Sequence, residues 1–105
     1  MIKVSILYPN NEGCKFDLDY YTNTHIPMTE ARLSAALRGV TIEKGLSSGA
    51  PGSQPTYIAA GHLLFDSVEA FQEAIAPHAQ ELMADIPNYT NVQPVVQISE
   101  ITVSR

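Results

Sequence analysis

Basic residues are scarce in this sequence: six Lys and Arg face eleven Asp and Glu, for a formal net charge of −5. A nucleic-acid surface needs the opposite balance, and no cluster of Lys and Arg supplies a local exception. Cysteine is nearly absent as well. Cys14 stands alone, which excludes an intramolecular disulfide and a cysteine metal cage. The histidines, His25, His62 and His78, are dispersed without HExxH or His-x-His spacing, so no metal site is expected. Neither GxGxxG nor a GxxxxGK phosphate loop occurs, no nucleophile signature surrounds a Ser or Cys, and no cofactor motif is recognisable. No apolar run reaches the length of a membrane span. The opening MIKVSILY alternates like a strand and lacks the apolar core and cleavage site of a signal peptide. These absences set the expectation of a cytoplasmic protein with no metal, cofactor, nucleic acid or membrane.

What is present reads as one domain over residues 1–105, with 45% hydrophobic and 16% charged residues. Ile2, Val4, Ile6 and Tyr8 alternate in a first strand that ends at Pro9, Asn10 and Gly13. A helix is predicted from about Asp17, a good N-cap residue, with a first segment ending near His25 because Pro27 disfavours α geometry before it. Pro27 then opens a second segment, MTEARLSAALR, that closes at Gly39; one continuous kinked helix is the alternative. Val40–Leu46 and Tyr57–Phe65 read as strands joined by the flexible SSGAPGSQP. Asp66 or Ser67 caps a further helix whose stripe, Val68, Phe71, Ile75, Leu82 and Ile86, is interrupted at Pro77. A closing strand is predicted over Val95–Val103, with a slip of phase near Ser99 and Glu100 that suggests a bulge or a change of environment.

The order βαββαβ predicts an α+β, ferredoxin-like fold: a four-stranded antiparallel sheet with both helices on one face. The Tyr57–Phe65 strand is largely apolar on both sides, yet one sheet face would have no helix over it. A second copy covering that face, in a homodimer with sheets packed together, is the simplest resolution.

Chemistry concentrates in residues 16–28, FDLDYYTNTHIPM. Spacing at i,i+4 places Asp17, Tyr21 and His25 on one helical face, with Tyr20 beside them. A carboxylate can orient an imidazole or phenol, and an imidazole moves protons near neutrality. The catalytic candidates are therefore His25, Tyr21, Tyr20 and Asp17. The same residues admit an architectural role: a cap, a core tyrosine and a histidine that satisfies carbonyls at the helix break. His62, inside an apolar strand, needs a partner if buried. It joins Tyr57, His78 and Tyr89 as a candidate contact for a small hydrophobic molecule.

FDLDYYTNTHIPM resembles the FD-x-x-YY-x-x-x-H-x-P signature of the EthD family, named for ethyl tert-butyl ether degradation. DIPNYTNVQPVVQISEI resembles that family's later aspartate–proline–asparagine–aromatic stretch and closing strand. The matching positions are Phe16, Asp17, Tyr20, Tyr21, His25 and Pro27, then Asp85, Pro87, Asn88 and Tyr89. The resemblance implies a dimeric α+β barrel and small-molecule chemistry: some relatives are dehydratases or decarboxylases, and the wider superfamily includes isomerases, cyclases, monooxygenases and haem-handling enzymes. The expected function is cofactor-independent proton transfer on an apolar or aromatic metabolite. A dimeric carrier of such a molecule, or haem handling through His78, are the alternatives.

Overall fold

A computed structural model describes residues 1–105. Strand β1 (Ile2–Pro9) leads into α1 (Leu18–Tyr20), a π turn (Tyr21–His25) and α2 (Ile26–Leu33). Strands β2 (Gly39–Lys44) and β3 (Tyr57–Phe65) follow, then α3 (Val68–Ile75), α4 (Ala79–Asp85), a 3₁₀ turn (Ile86–Asn88) and β4 (Val95–Glu100). The sheet runs β2-β3-β1-β4 with every neighbouring pair antiparallel. This is the ferredoxin-like fold, and β3 has the bounds that its alternation predicts.

Register decides which side chains meet the helices. Ile2 lies opposite Phe65, Val4 opposite Leu63, Ile6 opposite Gly61 and Tyr8 opposite Ala59, so these residues share one face. The helices bury that face in two clusters. Ile2, Val4, Leu63 and Phe65 pack with Leu33, while Tyr8 and Ala59 pack with Tyr21, Ile26, Tyr89 and Val92. The other face carries Ser5 and Leu7 opposite His62 and Ala60, with Val95 beside Leu7.

The proline does not split the helix as one reading of the sequence had it. Leu18 to Leu33 runs on without interruption, and the ladder widens by one residue where Ile26 N–H donates to the Tyr21 carbonyl. Pro27 has no N–H and its ring would press on the carbonyl four residues earlier, so the wider turn relieves that clash. Residues 22 and 23, in this wider turn, are exposed. The turn also keeps Tyr21 and His25 pointing inward, their rings stacked at 5.7 Å.

Further along, Ser67 is the residue that caps α3, its hydroxyl accepting from Ala70 N–H. Pro77 falls between α3 and α4. The bulge expected near Ser99 does not form: β1 and β4 pair without a shift to Ile2–Glu100, and the strand stops there. β2 likewise ends at Lys44 rather than Leu46, because its pairing with β3 ends there, at Ala59.

Candidate functional site

Residues 85–92 are stitched to the segment before α1. Phe16 bridges Thr90, the Asp17 amide donates to the Tyr89 carbonyl (2.7 Å), and the Thr90 hydroxyl donates to the Lys15 carbonyl (2.6 Å). This pairing carries the end of α4 and the 3₁₀ turn against the π turn. Asp85 thereby reaches His25, sixty residues away in sequence, with Oδ2 2.9 Å from Nδ1. The same carboxylate accepts from the Tyr20 hydroxyl at 2.7 Å and from Asn88 Nδ2 at 2.9 Å, both at Oδ1. Burial raises the Asp85 pKa, but donors on Asn88, His25 and Tyr20 outweigh it and hold the carboxyl below its ordinary value. An ionised carboxylate only accepts, so Nδ1 carries a proton, and in the neutral imidazole Nε2 is then the nitrogen with the lone pair. Nε2 has no protein partner.

His25 lines a cavity of about 340 Å³ between the sheet and the helices. Its walls are apolar, from Val4, Ile6 and Leu63 on the sheet to Phe71, Ile75 and Leu82 on the helices. Its polar residues are Tyr8, Tyr21, His25, Thr29 and Gln93. Thr29 is committed to the His25 carbonyl (2.9 Å), which pins the backbone beneath the imidazole. Tyr8 and Tyr89 share a hydrogen bond of 2.7 Å between their hydroxyls. Burial pushes the phenols of Tyr8, Tyr21 and Tyr89 far above their ordinary range, so they stay protonated.

Of the catalytic candidates read from the sequence, His25 and Tyr21 reach the cavity and Tyr20 reaches the Asp85 carboxylate. Asp17 does not join them. Its backbone is extended at the helix start and its carboxylate accepts from Tyr20 N–H at 3.1 Å, so it caps and Asp85 takes the orienting place assigned to it. Tyr89 packs against His25 with ring centroids 4.7 Å apart. His62 lies on the opposite sheet face, with Nδ1 2.8 Å from Ser5 Oγ and Nε2 2.8 Å from Glu43 Oε1. Tyr57 lines a shallow hollow beside His62, not the cavity. His78 is half-buried at the α3–α4 junction and is not among the cavity's lining residues.

The EthD domain matches residues 15–93, most of the chain and all of the His25–Asp85 arrangement. The chain belongs to the EthD family. This EthD domain is 45% identical to an EthD-like protein from Ralstonia eutropha JMP134, with a TM-score of 0.94 over 99% of this chain and 94% of that one. An EthD family protein from Bacillus halodurans C-125 is 21% identical, with a TM-score of 0.74 over 97% and 99% of the two chains. A dimeric ferredoxin-like protein from an uncultured marine organism shares the fold at 14% identity, with a TM-score of 0.66 over 100% and 98%. No curated protein matches this EthD chain.

Two features of the EthD site yield direct tests. Gly61 lies beneath the Tyr21 hydroxyl, where an added Cβ would collide with that oxygen. Gly61→Ala is expected to cost about 1–3 kcal/mol by overpacking. Urea denaturation should show most of that loss recovered in the Gly61→Ala/Tyr21→Phe double variant; an equal loss in the Tyr21→Phe background would reject the clash as its cause. The second test concerns acid. Asp85 titrates below its ordinary value of 3.8, so its contribution to stability is complete above that pH and is lost as pH falls through the lower folded value. Asp85→Asn should be less stable than wild type at pH 7, and the gap should close below about pH 4. Parallel stability curves for the two proteins would show that the carboxylate's charge is not what its donors recognise.

Proposed function

We propose that this protein catalyses proton transfer, without a cofactor, on a small apolar or aromatic molecule held in the cavity. One observation carries the reading: the His25 imidazole is fixed by Asp85 at Nδ1 and left unpartnered at Nε2 on the wall of an apolar cavity. Nε2 takes a proton from a carbon next to a carbonyl. Tyr21 donates a hydrogen bond to the oxygen as enolate charge develops there, and Asp85 stabilises the imidazolium. Returning the proton to another carbon completes an isomerisation; returning it to a departing β-hydroxyl, which leaves as water, completes a dehydration. Tyr20 and Asn88 act through Asp85 and are positioning residues.

A panel of neutral cyclic ketones incubated with the protein in D₂O tests this, with α-proton signals followed by ¹H NMR. Exchange above the buffer rate is expected for at least one member that fits the cavity. A folded protein that binds such a ketone and leaves its α-protons at the buffer rate would be a carrier instead.

The face opposite the helices supports a homodimer. Leu7, Ala60 and Val95 lie there, Val95 is 50% exposed, and the charged or polar groups of Ser5, His62 and Glu43 already satisfy one another. Sedimentation velocity at micromolar concentration should give a dimer for wild type and a monomer for Leu64→Glu, whose position opposite Lys3 is half-buried on the same face. A monomeric wild type would leave this face without a second copy.

A further inference from the structure

Which molecules the cavity admits follows from the charges around it. We infer that it selects an uncharged carbonyl or enol compound and rejects the matching carboxylate. The inference rests on the proton-transfer reading for the seat of the oxygen, but not for the selectivity itself.

No Lys or Arg lines the cavity. Arg32 is paired with Glu81 and Arg38 with Asp66, both at half-exposed surfaces. Lys3 and Lys44 lie on strands outside the lining set, Lys15 precedes α1 and Arg105 ends the chain. The fixed charge nearest the polar end is instead negative, the Asp85 carboxylate behind His25.

The lining groups still able to bond a ligand are dipoles. Thr29 and Tyr8 have partners, which leaves His25 Nε2, the amide of Gln93, an exposed side chain, and the Tyr21 hydroxyl, which gives up its contact with Tyr8 to meet a ligand. Tyr21 can donate to a carbonyl oxygen while Nε2 addresses the neighbouring C–H. A carboxylate in the same place would lose its hydration to aliphatic walls and meet no Lys or Arg. Hydrogen bonds from neutral donors do not offset that loss.

2-Acetylnaphthalene and 2-naphthoate form a matched pair, alike in ring system and differing by a methyl group for a charged oxygen. Each is titrated at pH 8 into protein with labelled methyl groups, where shifts at Val4, Leu63 and Ile75 report occupancy of the cavity. The ketone is expected to bind on the order of a hundredfold tighter. Gln93→Lys, which adds a cation at an exposed lining position, should narrow that gap by about tenfold. Naphthoate binding as tightly as the ketone would overturn the inference, and so would a pair that shifts none of those methyls. Selective ketone binding with no α-deuteration leaves the selectivity standing and removes the proton-transfer reading. Selective binding with deuteration supports both.

Discussion

Replacing His25 by Gln is expected to lower the rate of α-proton exchange by about 10²–10⁴-fold, the range usual for loss of a positioned acid or base. The Gln amide can still donate to Asp85, so the carboxylate keeps a partner and the variant should fold. What it lacks is a basic lone pair facing the cavity. Asp85→Asn should also slow exchange, by less, because the imidazole stays in place but its tautomer and the imidazolium lose their support. The informative comparison is affinity for the ketone, read from the same NMR titration. Affinity should change little in His25→Gln while exchange collapses; exchange at the wild-type rate would end the case for His25 as the base.

Phe65→Ala should cause the largest loss of stability, about 3–5 kcal/mol. Phe65 is fully buried at the end of β3, against Ile2, Val4 and Leu33, with the Phe71 ring centroid 5.1 Å away. Its removal opens a void between sheet and helix that backbone on both sides holds open. Domains of this size have about 5–15 kcal/mol in total, so the loss is about a fifth of it or more. Urea unfolding measures it directly. Val103→Ala, at a position 63% exposed, should stay within about 0.5 kcal/mol of wild type and serves as the control.

The sheet was legible because alternation is a local property: β1 and β3 each announce two faces within eight or nine residues. Strand ends were less so, since they depend on a partner. The apolar pattern of Val95–Val103 outlasts its pairing with β1: beyond Glu100 the Ile101 N–H donates to the Met1 carbonyl at 3.2 Å, and the ladder goes no further. The site was half legible. Tyr21 and His25 follow from helical spacing, and the π turn preserves their common direction. Asp17 was placed on the same face by the same rule, but a cap residue is extended and lies outside the helical periodicity. Asp85 stood in the resembling stretch without a role. Its partnership with His25 spans sixty residues and is set by the Phe16–Thr90 bridge, which leaves no trace in local pattern. His62 read as a cavity candidate because an apolar strand does not reveal which of its faces the helices will choose.

The aromatic cluster has an optical consequence. The chain has no tryptophan and five tyrosines, so its near-ultraviolet signal comes mainly from tyrosine. Tyr8, Tyr20, Tyr21 and Tyr89 crowd within ring distances of 5.1 to 6.2 Å around the imidazole, and only Tyr57 stands apart. Near-ultraviolet circular dichroism of the unlabelled protein is therefore a spectroscopic window on the His25 site itself. With Tyr57→Phe as background, every remaining tyrosine chromophore belongs to it.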